Sequence, residues 1–340
     1  MKKTIVWGLF LLFFVLAVSG CTASPAEEVG VDGQHPGKQH PGEQQPGADF
    51  PLTVEDHFGR RVEILQKPER IISLAPSNTE LLFALGLDER IVGVTEYCNF
   101  PPAALAKPKA GSFSEPYLEQ IVTLEPELII ASELAITAEK LQQLEELQLP
   151  ILVLHPAGFE EVCQTLELLG SVTGEKRAAR QLITEMQARV EAVQEKLQQL
   201  PDTRERIRVY YQVYHDPLMT AGGTSIIHEI IEMAGGKNVF AEVEAAYPKI
   251  SSEAVIERDP EIILFPNTHG TAEVPVSEIV DHPGWGTITA IQKGRIFGLD
   301  PDRISRPGPR LAGAVEELAK IFYPELWEDF AGNHSGENSN

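Results

Sequence analysis

The chain has 340 residues, enough for about two domains, and 43% of them are hydrophobic, which is ordinary for globular protein. Its formal net charge is -22, and because residues 1–20 hold two lysines and no acid, the remainder carries -24. This excess of negative charge argues against nucleic acid or an anionic lipid surface as a partner.

The N-terminus has the order of a secretion signal: two lysines, an apolar run from Ile5 to Val18, and small residues before Cys21. The apolar run is shorter than the ~20 residues that a bilayer-spanning helix needs. Residues 18–21 resemble the bacterial lipobox, whose cysteine thiol takes a diacylglyceryl group. We predict a lipoprotein signal peptide over 1–20 and lipidation of Cys21, with an uncleaved anchor helix as the alternative.

Residues 21–50 contain three pentapeptide repeats rich in Gln, Pro and Gly, a composition that builds no core. We predict a lipid-anchored tether that spans about 30 Å as a coil and ~90 Å as polyproline II. The polar tail over 331–340 is predicted to be disordered. Cys163 lies in an apolar helical pattern and is predicted to be a core residue, and its spacing from Cys98 does not require a disulfide.

From residue 70 onward, short apolar strands alternate with helices, which is typical of a parallel sheet covered on both faces. The predicted strands are 71–74, 90–94, 128–130, 151–154, 207–213, 262–265 and 295–299. The predicted helices are 81–85, 137–147, 175–200, 225–234 and 309–322. A Ser77-to-Glu80 capping box is expected to open the first of these helices.

The helix over 175–200 carries apolar residues at steps of three and four on one face only, which favours a strut lying across two bodies. The sequence therefore predicts an α/β fold of two lobes. We place the N-terminal lobe at 51–172, the connecting helix at 173–201 and the C-terminal lobe at 202–330.

An internal repeat relates the two predicted lobes. Glu119 and Glu253 each open a short helix, and in both cases a Pro-Glu pair follows seven positions later and leads into an apolar strand. The preceding helices, 80–86 and 229–235, also match. One glutamate at a helix N-terminus is explained by the helix dipole. Two at equivalent places also suit a symmetric partner that contacts both lobes.

Residues 74–80 (LAPSNTE) and 94–102 (VTEYCNFPP) resemble the opening motif of substrate-binding proteins of ABC importers for cobalamin, haem and iron siderophores, and most closely the cobalamin-binding branch. The resemblance runs from about residue 68 to 322. It implies two Rossmann-like lobes on a rigid helix, with the ligand in the cleft between them. It also implies that Glu119 and Glu253 dock onto arginines of a paired permease, which works with an ATPase, and such charge pairs set orientation.

The same resemblance implies the ligand-binding residues: Tyr97, Phe113, Tyr214, His215, Tyr247 and Arg306. A corrin is large, flat and apolar with amides at its rim, so aromatic faces suit it. The cage is smaller than in the cobalamin branch, because Phe113 and Tyr247 stand at Trp positions and Glu133 falls near another. We predict cobalamin as the ligand, with haem or a ferric siderophore as alternatives and His215 as a candidate axial ligand.

No catalytic set is recognisable in the sequence. Residues 222–225 (GGTS) precede a helix as an anion site would, but they lack the spacing of a phosphate-binding loop, and we interpret them as a Ser-capped helix start. The sequence contains no His-x-x-x-His or Cys-x-x-Cys pair, so no metal site is predicted. We expect no enzyme activity and no resident cofactor, with an enzyme or metallochaperone on two lobes as a third alternative.

Overall fold

The computed structural model describes residues 50–327 apart from Phe113, Asp202 and Thr271. The predictions for the signal peptide, Cys21, most of the tether, Phe113 and the C-terminal tail fall outside the described residues. Among the helices that are described, none combines the length and the apolar character that a membrane span requires.

The described elements follow the alternation that the sequence predicts. The strands are β1 (Leu52–Glu55), β2 (Arg61–Ile64), β3 (Ile71–Ser73), β4 (Ile91–Thr95), β5 (Lys109–Gly111), β6 (Leu128–Ser132), β7 (Ile151–Leu154), β8 (Arg208–Tyr214), β9 (Met219–Thr220), β10 (Lys237–Asn238), β11 (Ile262–Pro266), β12 (Thr268–His269), β13 (Ala272–Glu273) and β14 (Ile296–Leu299). The α-helices are α1 (Pro76–Ala84), α2 (Leu118–Thr123), α3 (Ala138–Glu145), α4 (Phe159–Thr173), α5 (Lys176–Leu197), α6 (Ile226–Met233), α7 (Ser252–Arg258), α8 (Ser277–Val280), α9 (Thr289–Gln292), α10 (Pro301–Ser305) and α11 (Leu311–Phe322).

Two parallel sheets organise the molecule. The first has the order β5-β4-β3-β6-β7, and every neighbouring pair in it is parallel. The second has the parallel order β10-β8-β11-β14, with β9 antiparallel to β8. Antiparallel hairpins, β1–β2 and β12–β13, accompany them. The predicted α/β class is confirmed, because apolar runs such as those of β7 and β11 became parallel strands buried on both faces.

The long helix α5 holds the two halves together. Its buried stripe, Ile183, Met186, Val190 and Val193, recurs at helical spacing and belongs to the same core cluster as residues of both sheets. The helix packs on α4 along one part and on α11 along another. Across the second contact, Arg189 binds Glu316 through two nitrogens at 2.7–2.8 Å. The predicted strut is therefore present as a helix that contacts both sets of elements.

The predicted capping box was wrong. Helix α1 begins at Pro76, five residues before the predicted start, and its N-cap Ala75 makes no side-chain bond. Proline suits the first helical position because it lacks the N–H that would be left unpaired there. Thr79 Oγ1 instead donates to Ala75 O at 3.0 Å. The Glu80 side chain does not bind the start of α1 but accepts a hydrogen bond from Arg306.

The β1–β2 hairpin was not predicted from the sequence, and neither were the bounds of α4. Cys163 lies on α4 with 4% of its surface exposed, so its prediction as a core residue is confirmed. Burial raises the pKa of this thiol to about 11. Cys98 is also buried, and both thiols are free. Thr79 Oγ1 lies 3.1 Å from the Cys98 sulfur, which holds that thiol under α1.

The internal repeat is visible in the backbone as well as in the sequence. Glu125 and Asp259, which directly precede the two Pro-Glu pairs, have φ angles of 43° and 41°. At each place an arginine from the start of the neighbouring strand binds the turn. Arg70 Nε donates to Glu125 O at 2.9 Å, and Arg208 Nε donates to Asp259 O at 3.0 Å. The two halves therefore share the same backbone turn and the same arginine contact, in addition to the similar sequence.

Candidate ligand-binding site

The carboxyl ends of the two sheets meet, because the loop that follows β4 is in direct contact with α10, the helix that follows β14. Asn99, beyond the end of β4, donates from Nδ2 to Asp302 Oδ2 at 3.0 Å. Its Oδ1 accepts from Arg306 Nη1 at 2.6 Å. In open parallel sheets, ligands bind outside the carboxyl ends of the strands. We therefore take these two facing edges as the candidate ligand-binding site.

Three tyrosines associated with these edges expose their rings. Tyr97 follows β4 and is 55% exposed, Tyr214 ends β8 and is 45% exposed, and Tyr247 is 41% exposed. The other four tyrosines of the chain are buried or half-buried. Exposed aromatic surface beside the carboxyl ends of parallel strands suits an interaction site. Tyr97 and Tyr214 therefore lie at strand ends, and Tyr247 lies in the loop between β10 and α7, beside β9. Their role as ligand-binding residues stays a prediction.

Tyr247 is positioned by two glycines. The N–H of Gly222 donates to Ala246 O, and the N–H of Gly223 donates to Val243 O, both at 2.9 Å. A Cβ atom on either glycine would overlap a carbonyl oxygen of this loop. Only glycine permits such a close approach of two backbones. Partial burial in this setting raises the pKa of Tyr247 above its ordinary value.

The same hydrogen bonds explain residues 222–225. The N–H groups of both glycines bind the loop that carries Tyr247, so they do not face an anion. Ser225 caps α6, because its side chain accepts from the His228 N–H at 3.1 Å. The interpretation as a Ser-capped helix start is confirmed.

His215 lies at the end of an aromatic stack. Its ring meets the ring of His282 at 5.8 Å in an edge-on arrangement, and His282 stacks on Trp285 at 4.2 Å. Trp285 is fully buried, and its Nε1 donates to Ser252 Oγ at 2.8 Å. The His215 ring therefore packs against His282, which itself stacks on the buried Trp285. His282 was not predicted from the sequence, although its place three residues before a tryptophan was an available signal.

Arg306 is engaged by the protein itself. Its Nη1 lies 3.1 Å from Glu80 Oε1, and its Nη2 lies 2.7 Å from Asp302 Oδ2. With the bond to Asn99, these contacts use three of the five N–H donors of a guanidinium. Arg306 therefore has two N–H donors left with which it could bind a polar group at the rim of a ligand. Glu80 was not predicted as its partner, although a glutamate inside an apolar helix is a signal of a buried ion pair.

Glu133 stands where the resemblance leads one to expect an aromatic ring. Its Oε2 lies 3.1 Å from His57 Nε2 and 3.7 Å from His155 Nδ1. The carboxylate thereby ties the β1–β2 hairpin to the ends of β6 and β7. Within the part of the chain that is described, no three His, Cys, Asp or Glu side chains are arranged to hold a metal ion.

The two predicted docking glutamates are both exposed. Glu119 lies in the first turn of α2, and Glu253 lies in the first turn of α7. The backbone N–H of Glu253 and the hydroxyl of Ser251 lower the pKa of the Glu253 carboxyl. The Glu253 carboxyl therefore stays ionised to a lower pH than an ordinary glutamate.

Two parallel-sheet units braced by one helix, with exposed rings where their strand ends meet, define a two-lobed solute-binding protein. The chain belongs to the periplasmic binding protein family, whose model matches residues 71–303. Proteins of this family bind solutes for transport, so the expectation that the chain is not an enzyme is confirmed.

Individual relatives agree with this assignment. The chain is 30% identical over 332 residues to the ABC transporter substrate-binding lipoprotein YvrC of Bacillus subtilis, covering 96% of this chain and 99% of that one. It is 30% identical over 258 residues to the vitamin B12-binding protein of Vibrio parahaemolyticus, covering 75% and 89%. The periplasmic heme-binding protein RhuT from Roseiflexus sp. RS-1 superimposes with a TM-score of 0.68 at 25% identity, covering 76% and 99%.

These comparisons confirm the resemblance that the sequence carries. The chain is an extracytoplasmic substrate-binding protein of the ABC-importer class, in the branch of the family whose members include vitamin B12-binding and heme-binding proteins.

Proposed function

We propose that this protein captures a corrinoid of the cobalamin type between its two lobes and delivers it to the paired permease and ATPase of an importer. The observation that carries the proposal is the set of exposed rings at the strand ends, Tyr97, Tyr214 and Tyr247. A corrin offers two broad apolar faces, and aromatic rings bring large contact area to such faces. Phe113 is proposed to contribute a fourth ring. A relative named for vitamin B12 binding supports the same ligand.

We further propose that residues 1–20 are removed and that lipid on Cys21 anchors the protein to the outer face of the cell membrane. The order of charges and apolar residues in the signal supports this, as does a lipoprotein among the relatives. Residues 21–50 would give the lobes a reach of tens of ångströms. Glu119 and Glu253 would then meet the permease, one from each lobe.

Titration calorimetry tests the ligand. The mature protein without an affinity tag is titrated with cyanocobalamin, hemin and ferrichrome under identical conditions. We expect one cyanocobalamin per protein with a dissociation constant of micromolar or below. No heat and no spectral change with micromolar cyanocobalamin would overturn the proposal. Binding of ferrichrome in its place would assign the protein to siderophore transport.

Haem is the second candidate, and the support for it is the position of His215. Imidazole is a good ligand for iron, and the His282–Trp285 stack holds His215 in place at the strand end. If hemin is the ligand, its Soret band shifts on binding and His215→Ala abolishes that shift. A binding isotherm for hemin that is tighter than that for cyanocobalamin would favour this candidate.

A further inference from the structure

A buried glutamate joins the two lobes at the candidate site. The side chain of Glu80 on α1 is 1% exposed, yet it is bound by guanidinium groups from the far side of the site. Arg310 binds it with Nε at 2.8 Å from Oε2 and Nη2 at 2.7 Å from Oε1. Arg306 adds a third contact at 3.1 Å. We call Glu80, Asn99, Asp302, Arg306 and Arg310 the Glu80 cluster.

The Glu80 cluster, together with the neighbouring Asp300, neutralises the charge of both arginines. Asp302 pairs with Arg306 at 2.7 Å, and Asp300 lies 3.6 Å from Arg310. Two guanidinium groups therefore face three carboxylates, counting Glu80, and the local sum of charges is negative. Side chains of the two arginines are only 16% and 18% exposed, so bulk water screens these pairs weakly.

This arrangement has consequences for ligand charge. A ligand with free carboxylates would meet arginines that are already paired, next to carboxylates that repel it. An uncharged ligand whose rim carries amides needs only hydrogen-bond partners. Arg306 retains two N–H donors beyond its three protein contacts, and an amide oxygen can accept from these.

We propose that Glu80 is a specificity-determining residue, which cancels the charge of Arg306 and Arg310 and so disfavours carboxylate-bearing ligands against uncharged, amide-rimmed ones. The inference rests on the proposed function, because cobalamin has an amide rim, whereas haem carries two propionates.

The internal repeat supplies a matched control. Glu229 on α6 occupies the place in the C-terminal half that Glu80 has in the N-terminal half. Its carboxylate also reaches the other lobe, where Oε2 accepts from the Phe159 N–H at 2.9 Å. This partner is a backbone amide and not an arginine. Replacing Glu229 by Gln therefore removes an interlobe carboxylate without releasing a guanidinium.

The experiment compares Glu80→Gln with Glu229→Gln. Each variant and the parent protein are titrated with hemin and with cyanocobalamin at low and high NaCl. In Glu80→Gln the hemin affinity, relative to that for cyanocobalamin, should rise about tenfold, as one gained charge-assisted hydrogen bond implies. The gain should shrink at high salt, since it comes from an unpaired cation. In Glu229→Gln the ratio should stay at the parent value.

An unchanged ratio in Glu80→Gln, or an equal rise in both variants, would overturn the inference. Asp302→Asn provides a second variant if Glu80→Gln does not fold, because Asp302 is partly exposed and its loss frees one arm of Arg306. It should shift the ratio in the same direction by a smaller factor. Failure of the proposed function is distinguishable: the parent protein then does not bind cyanocobalamin, and the hemin affinities of the variants alone decide the role of Glu80.

Discussion

Glu80 and Glu229 occupy equivalent places in the repeat, yet their carboxylates meet different surroundings. Two guanidiniums bind Glu80, whereas Glu229 receives one backbone N–H at the start of α4. Desolvation is the largest effect on Glu229 and raises the pKa of its carboxyl. A carboxyl whose pKa is raised by folding contributes stability that is fully present below its unfolded-state pKa. That stability is lost as the pH rises through the folded-state pKa. At neutral pH the ionised Glu229 therefore lowers the stability of the folded protein through its desolvation. The buried carboxylate of Glu80 differs, because two guanidinium groups pair with it.

The exposed rings give a prediction at the level of single residues. Replacing Tyr97 or Tyr247 by Ala removes an aromatic face from the site, and such contacts contribute about 1 kcal/mol each beyond area burial. Cyanocobalamin affinity should fall roughly five- to tenfold in each variant. Calorimetry measures the change.

Leu65→Ala is the control for these variants. Leu65 is 70% exposed and follows β2, away from the carboxyl ends of the sheets, so its loss should leave ligand affinity unaltered. Parent-like affinity in both tyrosine variants would contradict the placement of the ligand at these edges.

At the level of elements, the segment from β9 to α6 has to lie very close to the loop that carries Tyr247. The hydrogen bonds of Gly222 and Gly223 fix that loop, and glycine is required because the carbonyl oxygens leave no space for a Cβ atom. Loops positioned by such a scaffold commonly carry binding residues.

Gly223→Ala tests this arrangement. The added methyl overlaps the carbonyl oxygen of Ala241, so the loop has to shift, and overpacking of this kind costs about 1–3 kcal/mol. We expect a lower melting temperature together with weaker cyanocobalamin binding, because Tyr247 moves with the loop. Differential scanning fluorimetry and calorimetry measure the two effects.

Gly286→Ala is the matched substitution, since a Cβ atom at Gly286 would meet nothing within 4 Å. Its melting temperature and affinity should match those of the parent. If Gly223→Ala melts lower but binds as tightly as the parent, the glycine has a structural role only.

At the level of the whole molecule, α5 packs on α4 and on α11, and α1 reaches α10 and its following loop through the Glu80 cluster. These contacts lie on different elements and oppose large relative motion of the lobes. A rigid body of this kind suits a partner that contacts both lobes at once, which is the role we propose for Glu119 and Glu253.

Glu119→Ala and Glu253→Ala, singly and together, test this docking role. Transport of labelled cobalamin by cells that depend on this protein should fall with each substitution and fall further with both, because charge pairs orient the two partners. Ligand affinity should be unchanged. Glu139→Ala is the control, since Glu139 is an exposed acid in the first turn of another helix, α3. Lost ligand affinity in the double variant would contradict the docking assignment.

The sequence by itself determined the alternation of strands and helices, because runs such as 151–154 are apolar throughout and α5 repeats its apolar residues at helical spacing. It also determined the repeat around Glu119 and Glu253, since both halves obey the same local rules of helix start and turn. The predicted start of α1 was five residues too late, because Pro76 begins the helix and the expected capping box does not form.

Only the tertiary structure decided what Glu80, Arg306 and Arg310 do. Glu80 is more than two hundred positions from both arginines, and no local pattern states which buried carboxylate meets which cation. The same holds for Gly222 and Gly223, whose need for a bare backbone arises from a loop about twenty residues away. Propensity and periodicity act within one element, whereas ion pairs and close backbone approaches depend on how separate elements pack, so they became visible only in the folded chain.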